Sequence, residues 1–192
     1  VIRDAVVKAD VRIFRTAQEV PQCRGMGTTV VVVFYHGERV SIAHVGDSRV
    51  YRLRGEGFKQ ITSDHSLIQE QIDRGFFTPE EAAENTPKNL VTRALGIEEQ
   101  VDVDVQEQDS TPGEIYLLCS DGLNDMVDDE DIHLTLSKYS AHLVEAAGEL
   151  VRLANEKGGK DNISVVLVRP QALVARGSGI IAKINSVLKK GS

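Results

Sequence analysis

The chain has 192 residues, of which 41% are apolar and none is tryptophan, and it carries a net charge of −7. That length and composition suit one soluble domain with an aliphatic core. The acidic balance argues against nucleic-acid binding, where Lys and Arg on phosphates supply most of the affinity. Two cysteines, Cys23 and Cys119, make no disulfide framework.

In chain order, Val6, Ala9 and Ile13 recur at helical spacing and predict a helix over 4–17. Residues 27–35 contain a β-branched run followed by Phe34-Tyr35 and predict a buried strand. His36-Gly37-Glu38 reads as a hairpin turn, followed by strands at 39–45 and 48–53 joined at Gly46-Asp47, and a short strand ending near Ile61. Asp64 is placed to cap a helix over 66–74 that Gly75 stops. Thr78-Pro79-Glu80-Glu81 starts another, with a cap, proline at the first position and acids in the first turn. Residues 101–107 alternate Val101, Val103 and Val105 with polar residues, predicting a half-buried strand. The run 114–119 is apolar on both faces and predicts a central strand. Helices follow over 128–137 and 141–155, the second with a stripe of Leu143, Ala147, Leu150 and Ala154, and a last strand begins at Ile163.

Three acids share one placement. Asp121, in Ser120-Asp121-Gly122, follows the apolar run of residues 115–118. Asp161, in Gly159-Lys160-Asp161-Asn162, precedes the run of residues 163–168. Asp47, in Gly46-Asp47-Ser48, follows the strand ending at Val45. If the strands are neighbours, the carboxylates meet at one sheet end, where a hard divalent cation offsets their repulsion. Asp-Gly and Asp-Asn are also ordinary turn pairs, which is the structural alternative.

The motifs Arg24-Gly25-Met26-Gly27-Thr28-Thr29, His44-Val45-Gly46-Asp47-Ser48-Arg49, Thr62-Ser63-Asp64-His65-Ser66, Thr92-Arg93-Ala94-Leu95-Gly96, Cys119-Ser120-Asp121-Gly122-Leu123 and Gly159-Lys160-Asp161-Asn162-Ile163-Ser164 occur in this order. Together they resemble the metal-dependent serine/threonine protein phosphatases, the PPM or type 2C family, in its bacterial form. The resemblance implies an α/β (α+β) sandwich of two mostly antiparallel sheets flanked by helices. It covers residues 1–170 as the C-terminal portion of a catalytic domain whose N-terminal strands are absent here, with a flap-like insertion at about 64–100. It implies Mg²⁺ or Mn²⁺, two ions or three: Asp121 and Asp161 match ligands of a binuclear centre, and Asp47 with Asp121 matches a weaker additional site. The metals would activate a water for direct attack on the phosphorus of phosphoserine or phosphothreonine. Gly122 and Asn162 are candidates to support these ligands from behind; Asn162 orients Asp161 or caps the turn, and both readings stay open. The family's early Asp-Gly-x-Gly-Gly motif has no match here, so the chain alone is expected to be weakly active or inactive. Substrate-binding residues are not assigned.

The remaining polar residues carry plainer expectations. Arg49 and Arg93 read as ion-pairing residues, Cys119 as a small buried hydrophobe, and His44 and His65 have no assigned role. The partners expected are a phosphoprotein substrate, such as the product of a serine/threonine kinase, and no nucleic acid. No signal peptide or bilayer-spanning run is visible, which points to the cytoplasm. Residues 171–192 carry Arg176, Lys183, Lys189 and Lys190 without an acid; they read as a linker, with membrane or partner contact by a basic amphipathic face as the alternative. A non-catalytic, phosphatase-like binding or regulatory module is the competing function.

Overall fold

The computed structural model describes residues 1–87 and 90–171; the tail reading above lies outside the described residues. Helix α1 (Ile2–Glu19) leads into strands β1 (Val30–His36), β2 (Arg39–Val45), β3 (Arg49–Arg54) and β4 (Gly57–Gln60). Helices α2 (Leu67–Asp73) and α3 (Pro79–Asn85) follow, then β5 (Asp104–Asp109) and β6 (Ile115–Cys119). The chain continues through α4 (Asp121–Asn124), α5 (Asp129–Lys138), α6 (Leu143–Glu156) and β7 (Val165–Val168).

All strand pairs are antiparallel, in one sheet of order β1-β2-β5 and a second of order β4-β3-β6-β7. The period of two along each strand sorts its side chains between two faces. On β6, Tyr116 and Leu118 join Val40, Ile42 and Val50 between the sheets. Ile115, Leu117 and Cys119 face the other way, under Leu123, Ile132, Leu136, Ala146 and Leu150 of α4, α5 and α6. The outer face of the first sheet is covered by α1, where Val6 packs with Ala43, Val45 and Val103. The result is the expected sandwich of two antiparallel sheets flanked by helices. Each fully buried leucine in it contributes about 1.5–3 kcal/mol through removal from water.

Several boundaries differ from the sequence reading. β1 is half-buried because it is an edge strand with Phe34 exposed, whereas its apolar run reads the same as that of a central strand. β5 starts at Asp104, although Val103 is buried on the expected face. β7 is short, and α4, directly after Ser120, had no periodic signal. The cap of α2 is Ser66, which accepts from the Gln69 N–H at 3.3 Å, and not Asp64. Asp64 instead takes a two-pronged bond from Arg49, a partner distant in sequence. At α3 the anticipated start is present as a full capping box between Thr78 and Glu81.

Candidate metal centre

Strand register brings the acids to one end. Arg49 pairs with Cys119, and Cys119 with Val165, so these residues lie abreast across β3, β6 and β7. Asp47 lies just before this row, Asp121 just after it, and Asp161 just before it on the third strand. All three therefore emerge at the same end of the second sheet.

The turn carrying Asp47 pivots on Gly46, whose φ of 106° suits glycine, and whose missing side chain leaves room for Thr29. The loops carrying Asp121 and Asp161 are joined by Ser120. Its hydroxyl donates to the Asn162 carbonyl at 2.9 Å and accepts from the Ser164 N–H at 3.0 Å, while its own N–H donates to the Ser164 carbonyl at 3.1 Å. Gly122 lies so close to Asn162 that a Cβ there would overlap the Asn162 carbonyl oxygen. Asn162 contributes backbone: its N–H donates to Asp161 Oδ1 at 2.6 Å. Asp121 Oδ1 similarly accepts the Gly122 N–H at 2.8 Å. The second oxygen of each carboxylate has no hydrogen-bond partner among the described residues.

A cleft of about 200 Å³ lies here, lined among others by Asp47, Asp64, Asp121 and Asp125. Arg49 is the guanidinium in its lining, and it is held by Asp64 at 2.7 Å and donates to Tyr51 Oη at 2.8 Å. The Asp47 carboxyl is pushed above its usual range, first by burial and then by the charge of Asp121. This is a site with more carboxylates than cations, and a divalent ion fits it. Asp161 is exposed on the adjoining loop and does not line the cleft. A larger cavity, about 850 Å³, opens at the far end beside Gly37, Asp109 and Pro170 and contains none of these acids.

Among the described residues, the set of potential ligand groups whose atoms all lie within 4.8 Å of one another is His44, His65 and Asp104, and not the three acids. Sequence reasoning left the two histidines without a role, and it missed Ser120 and Asp125. For Ser120 a signal was present: a serine before Asp-Gly at a strand end has a hydroxyl within reach of the neighbouring loop. Arg93 pairs with Asp104 at 3.0 Å, in keeping with an ion-pairing role. Burial pushes the Cys119 thiol up to about 12, which removes it as a nucleophile near neutral pH.

Known proteins resemble this chain along most of its described length. The family model described as "Protein phosphatase 2C" matches residues 2–162. PstP, a serine/threonine protein phosphatase of Mycobacterium tuberculosis, is 39% identical over 165 residues, covering 85% of this chain and 32% of PstP. Protein phosphatase PhpP of Streptococcus pneumoniae is 40% identical over 145 residues, covering 76% of this chain and 58% of PhpP. The crystal structure of M. tuberculosis PstP superposes with a TM-score of 0.81 at 38% identity, covering 88% of this chain and 71% of that one. A structure of the PstP catalytic domain in complex with two manganese ions gives a TM-score of 0.73 at 38% identity, covering 82% of this chain and 65% of that one. The fold defines a sandwich of the serine/threonine phosphatase type. The chain belongs to the protein phosphatase 2C family. It spans 32% of the length of PstP and 58% of that of PhpP.

Proposed function

We propose that this chain forms the larger part of a catalytic domain that hydrolyses phosphoserine and phosphothreonine in proteins. Asp121 and Asp161 would hold Mg²⁺ or Mn²⁺, and Asp47 with Asp121 an additional, weaker ion. One observation carries the reading: Ser120 ties the two acid loops together beside a cleft whose carboxylates outnumber its cations. When bound, the metals supply a water of lowered pKa and offset charge on the phosphate oxygens. The protein's own residues do the positioning. Gly122 lets the Asp121 loop approach Asn162, and the Asp121 and Asp161 carboxylates each accept one backbone N–H. The Arg49–Asp64 pair forms one wall. Ile68 and Gln69 of α2 form another, which supports a flap role for the segment at about 64–100. Among the described residues, no helix is long and apolar enough to cross a membrane. We place the reaction in the cytoplasm, on products of serine/threonine kinases.

The test is hydrolysis of an aryl phosphate with Mn²⁺, alongside calorimetric Mn²⁺ binding. This chain alone is expected to turn over weakly or not at all, whereas a protein that joins it to the family's Asp-Gly-x-Gly-Gly segment should show turnover that needs Mn²⁺ and falls at least about 100-fold in Asp121→Asn, since even groups that only support a ligand cost 10–100-fold. Turnover that survives this substitution contradicts the assignment. Mn²⁺ binding without any hydrolysis by that joined protein would favour the binding-module reading.

A further inference from the structure

His44, His65 and Asp104 have the spacing of a metal site, but internal bonds already occupy them. Both backbone polar groups of Gly46 go to residue 65. The Gly46 carbonyl accepts from the His65 N–H at 3.0 Å, and the Gly46 N–H donates to His65 Nδ1 at 3.0 Å. A backbone N–H is always a donor, so Nδ1 is the acceptor in this bond. His65 Nε2 lies 3.0 Å from Arg93 Nη1 and 3.3 Å from Asp104 Oδ2, so the Arg93–Asp104 pair borders the outer edge of the ring. Asp104 Oδ1 is held by Arg93 at 3.0 Å, and Arg93 also donates to the Asp102 carbonyl at 3.2 Å. His44 stacks on the His65 ring with centroids 4.6 Å apart, and its Nε2 donates to the Ser63 carbonyl at 2.8 Å. The His65 carbonyl accepts from the Thr92 N–H at 2.8 Å, so the ring's own backbone is anchored. A cation placed among the three side chains would have to displace Arg93 and break the bond to Gly46.

We infer that His65 is a positioning residue: held beside the Arg93–Asp104 pair, it clamps Gly46 and thereby sets where the Asp47 carboxylate stands opposite Asp121. The residue it grips is the pivot of the Asp47 turn, one peptide from the acid. Such a support acts on a ligand as the groups behind metal-bound histidines do, by removing its alternative orientations. The inference rests on the reading of Asp47 as a metal ligand, but the clamp itself can be observed without metal.

Amide hydrogen exchange at Gly46, with Leu117 in β6 as an internal reference, reads the clamp directly. His65→Ala is expected to speed Gly46 exchange about tenfold, leave Leu117 unchanged, and weaken Mn²⁺ binding at the Asp47 site about 10–100-fold. His65→Asn places Oδ1 where Nδ1 stood and restores both readouts; His65→Gln, whose acceptor lies further out, does not. Asp104→Ala, at an exposed position, moves both in the same direction by less. Gly46 exchange that is unchanged in His65→Ala, or Asn that performs no better than Gln, overturns the inference. A chain that binds no Mn²⁺ overturns the metal reading of Asp47, while the exchange data still decide the clamp.

Discussion

The two ends of the second sheet treat their carboxylates in opposite ways. At the far end, Glu114 is buried and accepts from Thr111, from Tyr116 at 3.0 Å and from Arg54. Burial pushes its carboxyl up, but these donors outweigh burial and hold it below the usual range. At the near end Asp47 is shifted upward, because burial and Asp121 act on it without a compensating cation. One end is electrostatically satisfied and holds the fold together. The other gathers carboxylates that repel one another, and a bound cation there would relieve that repulsion.

Substitutions can break or sharpen this contrast. The largest effect is expected from Gly122→Ala. The new Cβ collides with the Asn162 carbonyl and forces the two acid loops apart, so Mn²⁺ affinity in calorimetry should fall at least about 100-fold, the upper end for a displaced ligand shell. Next is Glu114→Gln at the satisfied end. It removes charge-assisted hydrogen bonds and should cost about 1–3 kcal/mol in urea unfolding at neutral pH. The sign follows from its depressed pKa: the stabilisation is present above the unfolded glutamate pKa and is lost as pH falls through the lower folded value. The variant should therefore lose most stability at neutral pH and approach the unsubstituted chain in acid.

The smallest effect has the opposite sign. Asp47→Asn removes a charge whose folded pKa is raised, so without metal it should stabilise the fold. The gain should be about 1 kcal/mol or less, because the half-open cleft is screened by solvent. Thermal melts should show a small rise in midpoint without Mn²⁺. They should also show a weaker further rise on adding Mn²⁺ than the unsubstituted chain gives, since binding to the native state stabilises by mass action. A stabilising Glu114→Gln together with a destabilising Asp47→Asn would invert the comparison.

Much of this was legible in the sequence, and the exceptions have physical causes. Asp47, Asp121 and Asp161 could be placed at strand ends because strands announce themselves through apolar runs and glycines mark their turns. Asp64 could not be read correctly, since its helix-capping role lost to Arg49, a competitor visible only once β3 and the 62–66 segment are folded together. The run at β1 gave the strand but not its edge position, because periodicity reports faces and does not count neighbours. His65 escaped for a similar reason. Its partners Gly46, Asp104 and Arg93 lie on separate segments, and no local pattern joins them.

The β6–β7 pairing also acts as a length standard. Because Ser120 bonds both Asn162 and Ser164, the loops cannot slide independently of the strands that carry them. A slip of one residue between Cys119 and Val165 would displace Asp161 relative to Asp121 by about 3.3 Å, the rise of a strand residue. That is more than a coordination sphere tolerates, and the same slip would turn the apolar side chains of β7 to the wrong face. The hydrophobic core under α5 and α6 therefore calibrates the spacing of two charged groups that it never touches.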